Sequence, residues 1–109
     1  MEGPSSPRST PSSRGAALRA AVAESTISIV GAPFALAAKL IEREGFGAVY
    51  LSGAAFSAGT LGIPDIGLFT LDQLVEQTRV LAAAVDIPLV VDADTGFGDP
   101  RDVAARMQP

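Results

Sequence analysis

Cysteine and histidine are both absent from the 109 residues, tryptophan is absent too, and there is a single tyrosine. Without cysteine there is no disulfide framework, thiol nucleophile or zinc-thiolate site within the chain. Without histidine there is no Ser-His or Cys-His dyad, so carboxylates are left as the main acid–base groups. Basic residues are also few: 8 against 12 acidic ones, for a net charge of −4. They form no cluster, which argues against a nucleic-acid partner. No apolar run approaches the ~20 residues of a membrane span, so no membrane partner is expected and a cytoplasmic location is. What the chain does have is apolar residues, 48% of the total, enough for the core of at most one small domain.

The most informative stretch is Ile87 to Asp99, Ile-Pro-Leu-Val-Val-Asp-Ala-Asp-Thr-Gly-Phe-Gly-Asp. It opens as a short β-branched apolar run, the pattern of a strand buried on both faces. Pro88 stands near its start, where a missing N–H costs least. Asp92 and Asp94 follow at i, i+2, which in β geometry places both carboxylates on one side. Two like charges at the end of a buried strand are costly unless a cation or protons compensate. A hard divalent ion such as Mg²⁺ suits paired oxygen ligands. Gly96 and Gly98 allow a tight turn, and Asp99-Pro100 reads as N-cap and N1 of a helix. The plainer alternative is that the two aspartates only solvate a strand-to-helix turn.

Residues 1–14 are rich in Pro and Ser and read as a disordered leader. Its arginines and serines faintly suggest a transit peptide, against which the prolines and the lack of amphipathic pattern argue. Gly15 to Glu24 reads as an Ala-rich helix and Thr26 to Val30 as a first strand. Pro33 at N1 and Gly45 at C′ bracket a helix whose apolar face is Leu36, Ala37, Leu40 and Ile41. Ala48 to Ser52 is a second strand. Gly53 to Phe69 reads as a long, glycine-punctuated loop, a length often functional. Thr70 with Gln73 forms a capping box for a helix running to Val85. Strands alternating with helices imply a parallel sheet with right-handed crossovers. Ser52-Gly53, Asp65 and Asp92 with Asp94 all fall at or beyond C-terminal strand ends, where such sheets carry their sites.

Val-Tyr-Leu-Ser-Gly-Ala (49–54), Leu-Gly-Ile-Pro-Asp-Ile-Gly (61–67) with Thr70-Leu71, and Val-Asp-Ala-Asp-Thr-Gly-Phe-Gly (91–98) resemble the isocitrate lyase/phosphoenolpyruvate mutase superfamily. Within it the likeness is to the methylisocitrate lyases. The resemblance covers roughly Arg19 to Arg106, with three motifs in order. It implies an α/β fold: a helix plus about three βα units, the N-terminal portion of a TIM-type (β/α)8 barrel that is incomplete over residues 15–109. It implies Mg²⁺ as cofactor and a small carboxylate as substrate. Asp92 and Asp94 would serve the metal, with Asp65 reaching the metal region through water. Ser52, Gly53 and Ala54 would hold substrate oxygens; Ala54 is glycine in some relatives. Full-length relatives are expected to form homo-oligomers.

The implied reaction is cleavage of 2-methylisocitrate to pyruvate and succinate, with a phosphonomutase or an oxaloacetate-type decarboxylase as alternatives. Phe97 leans toward lyases, since mutases often carry Tyr there. The family's Lys-Lys-Cys-Gly-His segment, with its catalytic cysteine, has no counterpart here, so no catalytic residue is assigned. The isolated chain is expected to be inactive. An aspartate-nucleophile phosphatase fits less well, because its motif wants Thr where Gly96 stands. The remaining reading is non-catalytic: a truncated, decayed or mispredicted gene product, or a fragment that associates with another barrel.

Overall fold

The computed structural model describes residues 13–93 and 95–107. The described residues form five α-helices and three short strands: α1 (Arg14–Glu24), β1 (Val30–Gly31), α2 (Ala35–Arg43), β2 (Val49–Leu51), α3 (Gly53–Ala55), α4 (Leu71–Ala84), β3 (Leu89–Val91) and α5 (Pro100–Arg106). A six-residue π-helical segment, Phe56–Leu61, continues α3. The strands lie in the order β1-β2-β3, all parallel, with Val30 opposite Val49 and Leu51 opposite Val91. This is the parallel α/β arrangement that alternating strands and helices predict.

Alternation along β2 places Val49 and Leu51, both fully buried, on the face covered by helices, with Tyr50 half-buried on the other. The core is the layer between sheet and helices. It holds Ala38 and Ile41 from α2, Leu74 and Leu81 from α4, and Phe56 and Phe69 from the segment between. Fully burying a leucine contributes about 1.5–3 kcal/mol, so Leu74 and Leu81 anchor α4.

The stop and start signals at Thr70, Asp99 and Gly45 hold. Thr70 Oγ1 accepts from the Gln73 N–H while Gln73 Oε1 accepts from the Thr70 N–H, closing the capping box. Asp99 caps α5 with Pro100 at its first position. Gly45, at φ +94°, ends α2; its N–H bonds to Glu42 and that of Phe46 to Ile41, the paired bonds of a Schellman motif.

Several expectations are corrected. Arg14 already belongs to α1, which Ser13 caps through its hydroxyl; the rest of the stretch read as a leader, residues 1–12, lies outside the described residues. The first strand is Val30–Gly31 rather than Thr26–Val30, and the second is Val49–Leu51, one residue shorter at each end. α2 starts at Ala35 with Phe34 as its N-cap, so Pro33 lies ahead of the helix rather than at its first position. The inward face of α2 is Ala38 and Ile41, flanked by half-buried Ala37, whereas Leu36 and Leu40 are 64% and 51% exposed. The segment after β2 is helical to Leu61 rather than a loop to Phe69, with Ser52 as N-cap: its Oγ accepts from the Ala55 N–H at 3.3 Å.

Candidate functional site

The C-terminal ends of β2 and β3 lie side by side because the two strands pair in register from Val49–Leu89 to Leu51–Val91. The ladder runs one residue further: the Asp92 N–H donates to the Leu51 carbonyl at 3.1 Å. Asp92 therefore leaves β3 in extended geometry and shares a sheet face with Val90 and Tyr50. Its half-buried carboxylate accepts the Gly53 N–H on Oδ2 at 3.2 Å. That N–H is one of the first-turn donors that no helical carbonyl can satisfy.

Gly53 is fully within the packing, and a Cβ on it would stand 2.9 Å from Asp92 Oδ2 and 3.3 Å from Asp92 Cγ. Only glycine lets the backbone come this close. Tyr50 is the other neighbour. Burial, then the negative charge of Asp92, then a hydrogen bond to Asp92 hold its phenol above the ordinary value. The carboxylate thus sits between a backbone donor and a phenol, on one rim of a parallel sheet.

Ser52, Gly53 and Ala54 form the cap and first turn of the helical segment beside Asp92. Ser52 uses its hydroxyl to cap the turn, while Ala54 is exposed. Asp65 lies on an exposed turn ahead of Gly67, and Asp94 lies outside the described residues. Among the described residues no three acidic side chains converge to hold a metal. Of the residues singled out from sequence, the structure brings together Asp92 and Gly53, with Ser52 and Ala54 adjoining.

Sequence reasoning missed the supports of this rim. The Pro33 carbonyl accepts from Thr60 Oγ1 at 2.9 Å and Gln77 Nε2 at 2.7 Å, tying the loop after β1 to the π-helical segment and to α4. Phe56 meets Phe69 edge-on at 5.1 Å between ring centroids, and Phe69 meets Phe97 at 5.8 Å. Phe97 itself has φ +62°, between Gly96 at +107° and Gly98 at +127°. The glycine pair around a single aromatic was the visible signal for that turn. No local pattern marks the Pro33 clamp.

A short parallel sheet with helices packed on one face defines a segment of an α/β barrel, with Asp92 at the C-terminal strand ends where such barrels carry their sites. The family described as phosphoenolpyruvate phosphomutase matches residues 19–108, and the chain belongs to that family. It is 46% identical over 95 residues to a probable 2-methylisocitrate lyase 2 of Corynebacterium glutamicum, covering 86% of this chain and 31% of that protein. It is 48% identical over 87 residues to the 2-methylisocitrate lyase of Salmonella typhimurium, covering 79% and 30% respectively. Among solved structures, a phosphonopyruvate hydrolase complexed with oxalate and Mg²⁺ superposes with a TM-score of 0.72 at 34% identity, over 85% of this chain and 33% of that one. The chain thus spans about a third of the length of the relatives it matches. No helix of the described residues is long and apolar enough to cross a membrane.

Proposed function

We propose that this chain forms the metal- and carboxylate-gathering part of a Mg²⁺-dependent carbon–carbon lyase that cleaves 2-methylisocitrate to pyruvate and succinate. The observation that carries the reading is the Asp92 carboxylate on the rim, held by the Gly53 N–H beside the Ser52-Gly53-Ala54 turn. The names of the relatives support the substrate. A phosphomutase is the second reading, favoured by the description of the matching family.

The residues present fit a hard cation. Mg²⁺ takes one or two carboxylates and completes its shell with water and substrate oxygens, so a single half-buried aspartate is an adequate anchor. Asp94 is the further oxygen donor in this proposal, with Asp65 acting through water. When bound, Mg²⁺ supplies Lewis-acid polarisation of the substrate's oxygens. Asp92 would hold that ion, with one carboxylate oxygen already oriented by Gly53. With the Gly53 N–H donated to Asp92 and the Ala55 N–H to Ser52, the Ala54 N–H of the turn would bind a substrate carboxylate or carbonyl oxygen, where negative charge grows as the C–C bond breaks. Proton transfer to the leaving carbon falls to groups other than cysteine or histidine of this chain, which has neither.

Calorimetric titration of the chain with MgCl₂ tests the metal assignment. Saturable binding that Asp92→Asn abolishes is the expected result; equal binding by both proteins overturns it. The 109-residue chain alone is proposed to release no pyruvate from 2-methylisocitrate, and measurable release would show that reading to be wrong.

A further inference from the structure

Three aromatic rings run beneath the rim, each from a different segment. Phe56 belongs to the π-helical segment after β2, Phe69 directly precedes the cap of α4, and Phe97 sits in the glycine turn after β3. Phe69 is the middle ring, edge-on to Phe56 at 73° and tilted 45° to Phe97. Its Cζ also lies 3.8 Å from where a Cβ on Gly53 would stand, and Gly53 is the donor to Asp92. The rings therefore connect the residue that holds Asp92 to the turn that follows Asp92.

Phe97 is the one non-glycine residue with positive φ among the described residues. A bulky side chain in that region is an outlier, and strain of this kind persists only when the surroundings over-determine it. With glycine on both sides, a third glycine would suit the local backbone best. What phenylalanine brings and glycine cannot is a ring against Phe69.

We propose that Phe97 is a positioning residue for Asp92: its ring, seated on Phe69, latches the turn after β3 to the segment after β2 and keeps the Asp92 carboxylate under the Gly53 N–H. The functional consequence rests on the metal-binding reading of the rim, whereas the latch itself needs no metal. The competing explanation is that the turn is self-sufficient, closed by the Gly96 N–H on the Ala93 carbonyl at 2.8 Å.

Amide hydrogen exchange at Gly53, measured by NMR on the full chain without Mg²⁺, separates the two. Phe97→Gly keeps the left-handed backbone and removes the ring. Its Gly53 amide should exchange about five- to tenfold faster, the equivalent of one aromatic pair, with Leu81 in α4 unchanged as the control for global opening. Phe97→Tyr, which keeps the ring, should restore wild-type exchange. Phe69→Leu should reproduce the loss, and it carries the test if Phe97→Gly does not fold. Gly53 exchange in the ring-less variants within about twofold of wild type overturns the latch, as does a Phe97→Tyr chain that loses protection as Phe97→Gly does. Adding Mg²⁺ afterwards keeps the two readings apart. Ring-dependent protection in a chain that binds no Mg²⁺ refutes the metal site and leaves the latch standing. Ring-independent protection in a chain that binds Mg²⁺ refutes the latch alone.

Discussion

The Gly53 N–H donates to Oδ2 of Asp92 at 3.2 Å, joining residues 39 apart in sequence across the ends of two paired strands. The contact exists because Gly53 has no side chain: a Cβ would stand 2.9 Å from the same oxygen. Gly53→Ala sets two effects against each other. Alanine at a helical position is favoured over glycine by up to about 1 kcal/mol. Overpacking against a carboxylate costs about 1–3 kcal/mol, and that term should win. A lowered denaturant midpoint with an unchanged m-value is the expected result.

Tyr50 offers a direct spectroscopic view of the same carboxylate. The chain has one tyrosine and no tryptophan, so phenolate absorbance reports this group alone. Its titration midpoint should lie above 10.0, held there first by burial and then by the charge and hydrogen bond of Asp92. Asp92→Asn should move the midpoint down without removing the whole shift, because burial remains. The sign for stability follows. Above the ordinary phenol value the unfolded chain releases a proton that the folded chain still holds, so stability falls as pH rises there. A midpoint unmoved by Asp92→Asn would show that the two groups do not interact.

The two faces of α2 should respond oppositely to substitution. Leu40 is 51% exposed, so Leu40→Lys should change stability by no more than about 0.5 kcal/mol. Ile41, next in sequence, is buried against the sheet, and Ile41→Ala should cost about 2–4 kcal/mol. Urea unfolding of the two variants checks both, and a large loss for Leu40→Lys would count against the orientation of this helix.

The capping box of α4 makes a local prediction. Thr70→Ala removes the acceptor for the Gln73 N–H and should cost about 1 kcal/mol. Thr70→Ser keeps that acceptor and should lose much less. Thermal melts of the pair measure the difference.

Where the deciding interaction spans a few residues, the chain could be read directly. Thr70 and Gln73, Asp99 and Pro100, and Gly45 mark their helix ends because caps are made by neighbours three or four positions away. The parallel sheet was legible for the same reason, since each strand and helix carries its own period. The face of α2 was not. Its sequence, Ala-Leu-Ala-Ala-Lys-Leu-Ile, contains two overlapping apolar stripes. The longer side chains of Leu36 and Leu40 suggested one of them, and burial of Ala38 and Ile41 in the core selected the other.

By itself, then, the sequence determined the alternation of strands and helices, the helix ends marked by Thr70, Asp99 and Gly45, and the pair of aspartates that follows β3. Family membership is carried by the same short motifs. The tertiary structure alone decided that Gly53 touches Asp92, that Tyr50 borders it, that the segment after β2 winds into a helix, and that Phe97 lies left-handed against Phe69. Each of these depends on groups distant in sequence meeting at one rim. Backbone propensity acts between near neighbours, whereas close packing and hydrogen bonding across strands are settled only when the chain has folded.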